Sequence, residues 1–213
     1  MALSYRPSFV VTGDYHDFFL RPDGKAAVFV GDGSGHGPAA SMIMAIARTI
    51  LRTHDLHGRP GVTLTRLGRM LHGQLPSDLF MTGVYLVLDQ QGHATWATAG
   101  HHPPLRVNRD GIVDQVDLSI NGHVLGYDPA EEYAEAGTQL EPGDRLLLFT
   151  DGLWDGRSPD GDQFGRARLR EYLSETTSLP LNEAVQGLVS LVEEHLDGVD
   201  FEDDFTIVAV ERL

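Results

Sequence analysis

Apolar residues along this chain follow two kinds of pattern: short runs broken by turn residues, and longer stretches with helical spacing. The opening region is of the first kind. Ser8 to Thr12, Asp17 to Leu20 and Lys25 to Gly31 read as strands, and Pro22-Asp23-Gly24 folds the second onto the third as an antiparallel hairpin. Asp14 and Asp32 would then lie on neighbouring strands. After Gly37, Pro38 stands where a helix begins, and Ala39 to Arg52 carries Met42, Ile43, Ile46, Ala47, Ile50 and Leu51 at helical spacing, which predicts a largely buried helix. A second, amphipathic helix is predicted from about Leu64 to Gln74, with Leu64, Leu67 and Leu71 on one side.

Strand signals then return at Phe80 to Leu88, His93 to Ala99 and Leu105 to Asn108, with turns at Gln90-Gln91-Gly92 and Asp110-Gly111. Tyr133 to Gln139 and Arg145 to Thr150 follow, joined through the turn Glu141-Pro142-Gly143-Asp144. Two more helices, about Gly165 to Glu175 and Asn182 to His195, precede a last strand at Phe205 to Val210. Strands in runs and helices in pairs, with no βαβ alternation, predict an α+β fold with antiparallel sheets. With no internal repeat and no linker, the 213 residues read as a single domain, 1–213.

Composition narrows the function classes. The chain has no cysteine, which excludes disulfides and thiolate zinc sites and suits a reducing, cytoplasmic setting. No apolar run approaches the roughly 20 residues that cross a bilayer, so no membrane span is expected. Thirty-one Asp and Glu against sixteen Lys and Arg give a formal charge of −15, which disfavours nucleic acid as a partner and suits divalent cations.

Four aspartates stand at strand ends beside glycine or a second aspartate: Asp14 after Gly13, Asp32 between Gly31 and Gly33, Asp151 before Gly152, and Asp203 before Asp204. A carboxylate at the end of an apolar strand is partly desolvated, and a bound cation offsets that cost. Mg²⁺ and Mn²⁺ take oxygen ligands and keep several waters, so a few carboxylates and a backbone carbonyl suffice, and Gly33 could supply that carbonyl because no Cβ obstructs its approach. Two ions sharing Asp32 would favour phosphate ester hydrolysis. The competing reading of each aspartate is a turn or helix cap.

The segments Thr12-Gly13-Asp14-Tyr15-His16-Asp17, Gly31-Asp32-Gly33-Ser34-Gly35-His36-Gly37-Pro38, Ala99-Gly100-His101-His102-Pro103-Pro104, Thr150-Asp151-Gly152-Leu153, Pro159-Asp160-Gly161-Asp162-Gln163-Phe164-Gly165 and Asp203-Asp204-Phe205-Thr206 occur in an order and spacing that resembles the metal-dependent PP2C-like phosphatases of the SpoIIE/RsbU branch. That resemblance implies a four-layer α-β-β-α sandwich, two antiparallel sheets flanked by helix pairs. It implies two Mn²⁺ or Mg²⁺ ions per domain, with Asp32 bridging them, Gly33 offering its carbonyl, Asp14 serving one ion and Asp151 and Asp203 the other. Asp17 and Asp204 are second choices. It implies a protein-serine/threonine phosphatase in which a metal-bridging water or hydroxide attacks phosphoserine or phosphothreonine, on a STAS-type anti-anti-sigma or similar bacterial signalling protein. Since the motifs begin by Thr12, no sensor domain is expected ahead of them.

His36 could protonate the leaving seryl oxygen as a catalytic residue, although orientation or packing weighs more. Adjacent His101 and His102 point to different sides of an extended chain and read as structural. His54 and His57 have helical spacing but lack a third ligand, so no zinc site is expected. The glycine loop lacks the Gly-Lys-Ser/Thr ending of a P-loop, and Pro38 breaks a dinucleotide fingerprint. Two other readings of the same residues are a catalytically weak partner-binding module and a phosphatase of small phosphate monoesters.

Overall fold

A computed structural model describes residues 1–8, 12–35, 37–53, 58–76, 78–115, 120–201 and 203–213. In chain order the first elements are β1 (Ala2–Arg6), β2 (Asp14–Leu20), β3 (Ala26–Gly33), α1 (Pro38–Thr53) and α2 (Pro60–His72). There follow β4 (Met81–Leu88), β5 (His93–Ala99), β6 (Leu105–Val107), β7 (Val113–Gln115), β8 (Asn121–Gly122) and β9 (Ala136–Gln139). The chain closes with β10 (Arg145–Phe149), α3 (Gly152–Asp155), α4 (Gly165–Glu175), α5 (Leu181–Leu196) and β11 (Phe205–Glu211). Contacts divide them into two compact units, one of Met1–Val10, Pro104–Val116 and Leu140–Leu213, the other of Val11–Pro103 and Asp117–Gln139.

In the second unit the sheet order is β2-β3-β4-β5-β8, with β9 also on β5. The Pro22-Asp23-Gly24 turn forms as expected: the Arg21 N–H donates to the Lys25 carbonyl at 2.9 Å and the Gly24 N–H to the Arg21 carbonyl at 3.0 Å. That turn fixes the β2–β3 register from Leu20↔Ala26 to Asp14↔Asp32. Helices α1 and α2 bury Ile43, Ala47, Leu64, Leu67 and Leu71 against Phe29, Met81 and Tyr85. Met42 differs from expectation, being 64% exposed, because the buried stripe of α1 runs through Ala40, Ile43, Ala47, Ile50 and Leu51 one position away.

The first unit holds the order β1-β11-β10-β6-β7, every neighbour antiparallel. Strand β10 is buried along its whole length and β11 along all but its last residue, which explains why neither shows polar alternation. Val185, Leu188, Val189 and Val192 of α5 pack with Phe149, Phe205 and Ile207 in this unit's core.

Several boundaries differ from the expectations. The strand placed at Ser8 to Thr12 falls largely on residues 9–11, outside the described residues, while Ala2–Arg6 forms a strand by pairing with β11. The strand expected from Tyr133 begins at Ala136, where pairing with β5 starts. Helix α3 and strands β7 and β8 were not anticipated, being too short for any periodicity. One neighbour pair, β5 with β8, is parallel.

Candidate metal centre

Asp14 and Asp32 are direct partners across β2 and β3. Residues directly opposite in an antiparallel pair have Cα atoms roughly 4.5–5.5 Å apart. Asp14 is buried and Asp32 half-buried. Upstream, the Asp14 N–H donates to the Thr12 hydroxyl at 3.0 Å, and the Ser41 hydroxyl of α1 donates to the Thr12 carbonyl at 2.8 Å, tying the entry of β2 to the start of the helix.

Glycines make this corner possible. A Cβ on Gly13 would stand 2.8 Å from the Gly33 carbonyl oxygen, 2.9 Å from the Ala40 Cβ and 3.2 Å from Asp32 Oδ1. The Gly33 carbonyl and the Asp32 carboxylate therefore face the same small space beside Gly13. The loop that follows turns through Gly35 and Gly37 at φ of 84° and 68°, a region that side chains rarely adopt. His36 between them lies outside the described residues, as do His54 and His57.

The second-choice ligand Asp17 is otherwise engaged. Strand alternation puts it with Tyr15 and Phe19 on the helix-facing side of β2, away from the side of Asp14. It accepts from the Tyr15 hydroxyl and forms a two-point ion pair with Arg52 of α1, one contact being Nε to Oδ2 at 2.6 Å. Burial, with the Asp17 bond adding to it, raises the Tyr15 pKa well above the ordinary phenol range.

In the first unit, Asp151 follows β10 by two residues and Asp203-Asp204 precede β11. The Thr150 N–H donates to the Thr206 carbonyl at 3.1 Å and the Thr206 N–H to the Thr150 hydroxyl at 3.0 Å, so the two strand ends are held side by side. A Cβ on Gly152 would stand 2.2 Å from the Asp204 carbonyl oxygen, so only glycine lets α3 begin there. Asp151 occupies the N-cap position of α3, yet its side chain makes no capping bond, which removes the helix-cap reading for this aspartate.

Asp203 and Asp204 differ. Asp204 is buried, and its Oδ1 accepts from the Ser8 N–H at 2.8 Å and the Ser8 hydroxyl at 3.1 Å. Asp203 is the more exposed residue, its Oδ1 accepting from the Asp204 N–H at 2.8 Å. Desolvation raises the Asp203 pKa, the Asp204 N–H opposes this, and the charges of Asp151, Asp204 and Asp155 raise it further. Asp155 was missed by the sequence reasoning; it follows Asp151 by one helical turn, but on a helix of four residues that shows no periodicity in the sequence. Its pKa is raised by burial and by Asp151, against Arg157 and Arg166.

Among the described residues, no three His, Asp or Glu side chains converge as a ready-made metal cage. Mg²⁺ does not require one, since it keeps several waters and is bound through one or two carboxylates. An all-oxygen donor set of paired carboxylates beside a glycine carbonyl fits Mg²⁺ or Mn²⁺. His101 is buried with its Nδ1 2.8 Å from the Thr82 hydroxyl, in keeping with a structural role.

A family model described as Stage II sporulation protein E (SpoIIE) matches residues 22–213. The chain belongs to the SpoIIE family. This SpoIIE-family chain is 28% identical to protein IcfG of Synechocystis over an alignment 241 positions long, covering 98% of the chain and 37% of IcfG. It is 26% identical over 208 residues to the phosphoserine phosphatase RsbU of Bacillus subtilis, covering 97% of the chain and 61% of RsbU. It thus spans less than two thirds of either relative's length. The SiaA PP2C domain of Pseudomonas aeruginosa superposes with a TM-score of 0.85 at 21% identity, over 98% of this chain and 84% of that domain. The α+β fold expected from the sequence is accordingly the PP2C-like one. Among the described residues no helix is long and apolar enough to cross a membrane.

Proposed function

We propose that residues 1–213 act as one catalytic domain, a metal-dependent protein serine/threonine phosphatase working in the cytoplasm. The observation that carries this reading is the cross-strand pairing of Asp14 with Asp32 beside the Gly33 carbonyl. The proposed ligand set, taken from the resemblance to PP2C-like phosphatases, is Asp14, Asp32, the Gly33 carbonyl, Asp151 and Asp203, for two ions of Mn²⁺ or Mg²⁺. Bound there, such ions supply Lewis acidity and lower the pKa of water.

The chain's own residues hold and orient. Asp14 and Asp32 are held on one face by the β2–β3 register, and a one-residue slip of either strand would send its aspartate to the face opposite its partner's. The Thr150–Thr206 bonds do the same for Asp151 and Asp203. Hydrolysis forms a bond from water oxygen to phosphorus, breaks the bond from phosphorus to the seryl or threonyl oxygen, and returns a proton to that oxygen. His36 remains the candidate proton donor, with orientation of the loop as its larger role. The proposed substrate is phosphoserine or phosphothreonine on a STAS-type anti-anti-sigma or similar signalling protein, supported by the phosphoserine phosphatase activity that RsbU's name records.

The test is phosphate release from a phosphorylated STAS protein, from a phosphopeptide and from a small aryl phosphate, with Mn²⁺ and with chelator, by wild type and Asp32→Asn. Mn²⁺-dependent release lost in the variant supports the reading, and equal release by both proteins overturns it. Release from the aryl phosphate alone would reassign the substrate class.

A further inference from the structure

Charge is distributed unevenly along this acidic chain. Residues 33–77 contain five of its sixteen Lys and Arg but one of its thirty-one Asp and Glu. Neither α1 nor α2 carries an acidic side chain. Arg59 at the N-cap of α2, with Arg66 nearly two turns and Arg69 about one turn from the helix's far end, lines one side of a groove of about 480 Å³ whose other wall is the segment from Glu132 to Glu135.

That wall is fixed. A Cβ on Gly61 would stand 2.1 Å from the Tyr133 carbonyl oxygen, so helix start and segment are in direct backbone contact. Glu135 is committed within the groove: its carboxylate accepts from the Gly61 N–H at 2.9 Å and from Arg59 Nε at 2.9 Å, and its side chain is only 13% exposed. Glu132 is 84% exposed and lies 3.8 Å from Arg69, a loose surface pair that an incoming carboxylate can replace. Arg69 is itself half exposed and anchored, its Nε donating to the Pro129 carbonyl at 3.0 Å.

We propose that this groove docks a short acidic segment of a protein partner, with Arg66 and Arg69 as its main grip and Arg59 at one end. Ten residues of helix from Arg59 to Arg69 span about 15 Å, which about five residues of extended chain would cover. A short segment suits the charge balance. Two or three carboxylates feel chiefly the arginines within a Debye length of about 10 Å, whereas a long polyanion would meet the repulsion of a body at −15. Binding at this groove does not depend on hydrolysis, so it is measured apart from the phosphatase assay.

The experiment is fluorescence anisotropy of the full chain with a labelled peptide of alternating glutamate and leucine, beside its glutamine analogue. Saturable binding of the acidic peptide is expected, weakened about tenfold or more by Arg66→Glu with Arg69→Glu, and weakened also between about 0.05 M and about 0.3 M salt. Arg109→Glu, an exposed arginine in the other unit, should leave it unchanged. Circular dichroism melting checks that the reversed variant folds, and Arg66→Gln with Arg69→Gln, expected to lose less, replaces it if it does not. No saturable binding, equal binding of the glutamine analogue, undiminished binding by the double variants, or tighter binding of a single-stranded oligonucleotide would each overturn the proposal.

Discussion

Replacing Gly152 by alanine probes the close approach that brings Asp151 beside Asp203 and Asp204. The new Cβ would lie 2.2 Å from the Asp204 carbonyl oxygen, where an ordinary contact is 3.4 Å or more, so backbone on one side must yield by about 1.2 Å. Both segments are held by the Thr150–Thr206 bonds, and neither is a flexible side chain end that could swing away. Overpacking of this kind costs about 1–3 kcal/mol, a fall in Tm of roughly 2–12 °C for a chain of this size. Displacement of about 1 Å at a catalytic constellation lowers rate by about a hundredfold. Gly152→Ala should therefore melt lower and release phosphate far more slowly, with weaker Mn²⁺ binding by calorimetry. Gly73→Ala is the control, since the nearest atom to its added Cβ is 3.9 Å away. If Gly152→Ala matched wild type in melting, metal affinity and rate, the packing argument for this half of the centre would fail.

Three further outcomes follow from the same geometry. Arg52→Ala should destabilise by about 2 kcal/mol in urea unfolding, less than the roughly 3–5 of a fully buried pair because Arg52 is half exposed, while Asp17→Asn keeps wild-type Mn²⁺ affinity if Asp17 anchors α1 as described. Asp204→Ala should cost about 1–2 kcal/mol through its lost bonds to Ser8, whereas Asp203→Asn should melt like wild type but weaken Mn²⁺ binding by calorimetry. His36→Ala should lower phosphate release by less than about tenfold, since true general acid catalysis contributes about a hundredfold or more; a larger loss with an altered pH profile would reinstate His36 as the acid.

What could be read from the sequence was local. The turns at Pro22-Asp23-Gly24, Gln90-Gln91-Gly92 and Glu141 to Asp144 announced themselves, and the first of these carried with it the pairing of Asp14 and Asp32. Helical spacing located α1, α2, α4 and α5 to within a few residues. Elements made by distant pairing were not legible: β1 exists because Ala2 to Arg6 meets residues 205–209, and β8 because two residues meet β5. Within the candidate centre, Asp151 and Asp203 stood out by their glycine and aspartate neighbours. The roles of Asp17 and Asp204 did not, because their partners Arg52 and Ser8 are 35 and 196 residues away in the chain. Asp155 lay one helical turn from Asp151, but on a helix too short to show itself.

The central claim is the ligand set, and anomalous scattering from crystals soaked in Mn²⁺ reads it most directly. Two peaks are predicted, one touching Asp14, Asp32 and the Gly33 carbonyl, the other touching Asp151 and Asp203. Peaks on other residues, or none at millimolar Mn²⁺ in crystals that diffract well, would contradict it.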